Sequence, residues 1–147
     1  MSELQDIIDQ IVYIQKETLV APSSEKDIAV ATDELPVDLT LYPCFLNVEA
    51  STSIDYGAGG LREQHHEIDM NLVFSPSDKK YSMRSRRKWV QAVLDAFASR
   101  VTLNGTATQA LITGVDYQTP LQWNDTPYMT ATFRLAVEVK EAVDFTV

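Results

Sequence analysis

The sequence predicts an α+β domain: a four-stranded, mostly antiparallel sheet of two hairpins, with a long central helix and an N-terminal helix packed on one face. Three observations carry this. Residues 64–75 and 128–140 alternate apolar and polar side chains with the period of two of half-buried strands. Two other stretches place apolar residues at helical spacing. The order helix, strand, strand, helix, strand, strand then sets two hairpins around one helix.

The elements follow in chain order. Residues 3–19 read as a helix, because Leu4, Ile7, Ile8, Ile11 and Ile14 form one apolar stripe opposite Asp6, Asp9 and Gln10. Ser2 followed by Gln5 fits a capping box at its start. Residues 20–43 hold no period; Pro22, Pro36 and Pro43 punctuate them, with a turn at Ser23-Ser24 and room for one short helix or strand. Residues 44–52 read as a strand, with Leu46, Val48 and Ala50 alternating against Phe45, Asn47 and Glu49. Gly57, Gly59 and Gly60 give a flexible tip over 54–63. The strand at 64–75 points His66, Ile68, Met70, Leu72 and Phe74 one way and Glu67, Asp69 and Asn71 the other, completing a long hairpin.

Ser75-Pro76-Ser77-Asp78 ends that strand and opens a helix from 79 or 82 to 101. Val90, Val93, Leu94, Phe97 and Val101 are its stripe, with Trp89 beside it, and Leu103-Asn104-Gly105 closes it. Residues 109–117 form a third strand around Leu111, Thr113, Val115 and Tyr117. A loop from Pro120 to Pro127 carries Trp123, either as core or as contact surface. In the last strand Met129, Ala131, Phe133, Leu135, Val137 and Val139 share one face.

The totals bound the function. A chain of 147 residues makes one domain, 1–147, and 45% hydrophobic with 22% charged residues is a globular composition. No apolar run reaches the length of a membrane span, and Glu3 stands where a signal peptide would be basic, so neither membrane nor leader is expected. The single cysteine, Cys44, cannot staple the fold, and its apolar flank predicts a buried, inert thiol. A net charge of −9 argues against nucleic acid as the main partner, since binding there rests on neutralising phosphates.

Catalytic motifs are missing. No Gly-x-Ser-x-Gly elbow, P-loop or dinucleotide fingerprint occurs. His65-His66-Glu67-Ile68-Asp69 resembles a metal cluster, but on a strand only His65, Glu67 and Asp69 share a face and a further ligand would have to come from elsewhere. The expectation is no enzyme, no metal and no cofactor. The strongest signal is basic: Lys79, Lys80, Arg84, Arg86, Arg87 and Lys88 are six of twelve cations, with no acid among them, against 21 acids elsewhere. They occupy the N-terminal half of a helix, where the macrodipole disfavours positive charge. An acidic face on another copy, a nucleic-acid backbone or plain solvation could compensate them.

This layout resembles the tail terminator proteins of long-tailed bacteriophages, also called tail completion or head–tail joining proteins. The resemblance covers most of the chain and rests on pattern: the first helix with Ile7-Ile8 and Ile11, the strand 66–74, the helix through Trp89, Val93, Leu94 and Phe97, and the strand 128–135. It implies a homo-oligomeric ring, a hexamer, that caps the tail tube, stops its growth and joins tail to head connector in the virion after assembly in the host cytoplasm. DNA would be transiting cargo only, and no enzymatic activity is implied. Candidate assembly contacts are Lys79, Lys80, Arg84, Arg86, Arg87 and Lys88, the hairpin residues Gly57, Gly59, Gly60 and Arg62, and Trp123. The alternatives are another neck or minor tail protein, a small metal-dependent hydrolase or accessory subunit using His65, Glu67 and Asp69, and a nucleic-acid-binding regulator.

Overall fold

The fold is described from a computed structural model covering residues 3–23, 25–34, 42–74, 79–117, 121–123 and 126–142. It is α+β, as the periodicities predict. The first helix, α1 (Leu4–Tyr13), buries Ile7, Ile8 and Ile11. It starts one residue later than the proposed Ser2–Gln5 box, whose Ser2 lies outside the described residues. Glu3 is the N-cap, and the Asp6 carboxylate accepts its N–H at 3.0 Å, a negative group placed where the helix dipole favours one. Gln5 donates instead to Asp9 and Asp33. The helix then widens into a π turn, Ile14–Thr18, closed by the Leu19 N–H on the Ile14 carbonyl at 2.8 Å.

Among its described residues the featureless stretch holds one short strand, β1 (Val30–Thr32), and Lys16 pins the chain before it by donating to the Ile28 and Ala29 carbonyls. The predicted turn at Ser23 is closed by the Glu25 N–H on the Pro22 carbonyl. Ser24, Pro36 and the 75–78 opening of the second helix lie outside the described residues. The hairpin strands β2 (Cys44–Tyr56) and β3 (Leu61–Val73) are longer than predicted and pair to Tyr56↔Arg62. The tip is correspondingly narrower than 54–63: a single turn, Ala58–Gly60, separates the strands, with Gly59 at φ 75° where a side chain would be strained.

The second helix, α2 (Lys79–Ala98), ends three residues before the predicted limit. Its buried line is Ser85, Trp89, Val93 and Phe97, so Trp89 belongs to the stripe, while Val101 is exposed. The chain leaves it through Leu103, Asn104 and Gly105, all at positive φ, and Leu103 is buried completely. Strands β4 (Gln109–Asp116), β5 (Leu121–Trp123), β6 (Thr126–Tyr128) and β7 (Thr130–Ala142) follow.

Among the described residues the main sheet has five strands, in the order β1-β2-β3-β7-β4, and is mixed because β1 runs parallel to β2. The expected four antiparallel strands therefore gain a parallel edge, which three residues without alternation could not announce. β5 and β6 form a separate small hairpin in the loop before β7. One face of the sheet carries Phe45, Ile68, Met70, Leu72, Ala131, Phe133, Leu135 and Val137, and both helices close over it into a single core. Among the described residues the other face is open, apart from a patch at one end where Cys44, Leu46, Val73 and Tyr128 pack together and Tyr42 stacks on Tyr128 at 5.7 Å.

Two bulges reset which side chains face the core. In β4 an extra residue at Thr113 lets Ala110, Ile112 and Val115 face inward opposite Val137, Leu135 and Phe133. Leu111, counted as the strand's apolar anchor, points to the open face and is exposed. In β2 the register shifts between Glu49 and Ser51, so Ala50 is the extra residue. Before it, Cys44 and Leu46 lie on the open face; beyond it, Ser51, Ser53 and Asp55 do.

Candidate functional site

The cations sit where the helix pattern sends them. Because Ser85, Trp89 and Val93 turn inward, Arg84, Arg87 and Lys88 are left exposed on the side of α2 facing away from the sheet. Arg84 and Arg87 form no ion pair with a described residue. Lys88 donates to the Ser23 carbonyl at 3.3 Å and lies 3.9 Å from the Glu25 carboxylate. Arg86 is half-buried: its guanidinium lies 4.8 Å above the Tyr117 ring and donates to the Thr130 carbonyl. It holds the helix start against the ends of β4 and β7 and is less free to bind a partner than its sequence position implied. Lys79 and Lys80 open α2, with side chains outside the described residues; so is the side chain of Trp123, whose backbone ends β5.

The open face of the sheet has the opposite sign. Register places Asp55, Glu63, Glu67, Asp69, Asp116 and Glu138 on it, with Arg134 and Lys140 as its only fixed cations among the described residues. A shallow groove of about 480 Å³ runs between Asp69, Asp116, Tyr117, Thr132 and Arg134. The carboxylates come from four strands and alternate with inward apolar residues, so nothing contiguous in the sequence marks them.

The distal hairpin extends beyond the helices. From Val48 to Gly57 every residue is exposed, including Ile54 and Tyr56 on the side that continues the core face. Gly59 and Gly60, both at positive φ, and Gly57 shape its tip. Arg62 is committed within the chain: it pairs with the buried Glu141 carboxylate, which also accepts from Gln64 at 2.8 Å.

The histidine strand divides as its parity requires. His66 is buried on the core face with the Thr52 hydroxyl 2.9 Å from Nδ1, and burial, then neighbouring His65, lowers its pKa. His65 is on the open face with Glu67 and Asp69, as predicted, but neither of these joins it; Glu67 accepts from Ser51 and Asp69 pairs with Arg134. Asp55 and Glu63 stand beside it instead.

Cys44 is 2% exposed, and burial pushes its thiol up to about 11. At pH 8 a disulfide reagent should leave it unmodified in the native protein and titrate it completely in guanidinium. Rapid native-state modification would contradict the packing around it.

No protein-family model and no curated protein matches the chain. Among the described residues no helix is long and apolar enough to cross a membrane.

Proposed function

We propose that this chain is a structural subunit that assembles head to tail into a ring, and that the ring is the tail terminator of a long-tailed bacteriophage. The observation that carries the assembly is charge polarity across the protomer. The exposed cations Arg84 and Arg87 project from the helical side, and the carboxylate-rich sheet face lies on the opposite side. Such a body is self-complementary only when one copy's helix meets the next copy's sheet. That contact is heterologous, and heterologous contacts close into rings when the rotation permits. The acidic surplus lets DNA slide past without binding, and the exposed hairpin is long enough to reach a neighbour or the tail tube. The terminator identity, six-fold ring, tube, head connector and lack of catalysis rest on the layout of helices and strands set out from the sequence.

The test is native mass over a concentration series, with and without purified tail tubes, for wild type and Arg84→Glu/Arg87→Glu. Wild type should form a ring, alone or on tube ends. The variant should assemble about tenfold more weakly or worse, since each reversal turns an attraction into a repulsion. Added salt should weaken the wild-type ring in the same direction. An unchanged oligomer with unchanged tail joining in the variant would refute the role of these arginines.

A further inference from the structure

We infer that Asp55, Glu63 and His65 form a binding site for one divalent transition-metal ion, of the zinc class, on the distal hairpin. The site needs no second copy, because all three ligands belong to one chain, although they share the acidic face that the assembly reading uses.

The hairpin register builds it. Asp55 and Glu63 are directly paired across β2 and β3, and His65 follows Glu63 by two, on the same face and diagonal to Asp55. Their donor atoms all lie within 4.8 Å of one another, with His65 Nε2 3.6 Å from Glu63 Oε2 and 3.9 Å from Asp55 Oδ2. Ligands bound at about 2.0–2.1 Å in a tetrahedron stand roughly 3.4 Å apart, so the two His65 contacts are already close to metal spacing and rotation of the exposed Asp55 carboxylate completes the closure. The two oxygens of Glu63 already divide their tasks. Oε1 faces Lys140 Nζ at 3.9 Å, and Oε2 faces the imidazole. Lys140 is itself anchored on Glu138 at 3.3 Å, so it orients Glu63 as an outer partner orients a ligand.

The donor chemistry selects the ion. One imidazole with two carboxylates suits zinc and its neighbours, whereas calcium and magnesium prefer all-oxygen sites. Three protein ligands on an exposed strand face leave the remaining position to water. Asp55 is the least enclosed of the three, so exchange should be fast and affinity moderate.

The test is calorimetric titration of the full chain with zinc chloride in a non-chelating buffer. Wild type should take up one zinc per chain. Asp55→Asn and His65→Ala should each weaken binding by about tenfold or more, because each deletes a ligand. Glu67→Gln, on the same acidic face but outside the cluster, should bind as wild type does. Zinc should move the His65 imidazole nitrogen resonances and leave those of His66 in place. The altered residues are partly or largely exposed, and circular dichroism verifies that the variants fold. No zinc uptake by wild type, undiminished uptake by His65→Ala, or equal loss in Glu67→Gln would overturn the site. Repeating the titration on Arg84→Glu/Arg87→Glu separates the two proposals: binding there should persist whatever that variant does to assembly.

Discussion

Trp89→Ala is expected to destabilise the protein by about 3–5 kcal/mol, the range for removing a large aromatic from a packed core. Trp89 is 1% exposed, sits between Ser85 and Val93 on the buried line of α2, and belongs to the same core cluster as Phe133, Leu135 and the isoleucines of the first helix. Truncation leaves a cavity in that core which the surrounding backbone closes only in part. Against a total stability of about 5–15 kcal/mol, such a loss takes a large share of the fold. Urea unfolding followed by circular dichroism should show a lower midpoint with an unchanged slope. Val101→Ala is the control. The helical stripe had included Val101, but the helix ends at Ala98 and Val101 is 38% exposed, so its loss should cost less than about 1 kcal/mol. Equal costs at the two positions would mean that the helix docks differently from the arrangement described above.

Asn47→Leu is expected to cost about 2–4 kcal/mol, because it strands a buried amide. Gln15 and Asn47 exchange two hydrogen bonds of 2.7 Å in the core, and Asn47 also donates to the Thr32 carbonyl at 3.1 Å. Gln15 is wholly buried, so with Asn47 gone its N–H and C=O lose their protein partners and find no bulk water. Gln15→Leu alone should cost less, since Asn47 keeps Thr32. The double variant Gln15→Leu/Asn47→Leu should be less destabilised than the sum of the singles by about 1–3 kcal/mol, two apolar groups replacing two satisfied polar ones. Strict additivity in the cycle would show that the pair is not coupled. The pair joins the π turn to β2 and β1, so it also specifies how the first helix sits on the sheet.

Gln15 was legible and overlooked: it follows Ile11 by four and lies on the same stripe as Ile8. Its glutamine chemistry marks it as exposed unless a partner is known, and that partner is 32 residues away. The faces of β3 and β7 were legible for a simpler reason. In the part of each strand that runs beneath the helices one side is buried, and burial there imposes a strict period of two on Ile68, Met70, Leu72 and on Phe133, Leu135, Val137. β2 obeys no such rule. Its first four residues are buried on both faces and the rest are exposed on both, so its sequence stops alternating while the strand continues to Tyr56.

Local spacing alone determined the α+β class, the two helices, the hairpin, the buried thiol and the run of cations on α2. These depend on neighbours within one or two turns, or along one strand. Tertiary structure decided which residues meet across the sheet. The acidic face is gathered from four strands by register. The cluster of Asp55, Glu63 and His65 exists because Ala50 bulges, shifting the distal half of β2 by one residue and turning Asp55 toward the open face and Ile54 and Tyr56 away from it. A single inserted residue inverts every side chain beyond it. Whether a bulge forms is settled by the long-range pairing of whole strands, which local periodicity does not encode.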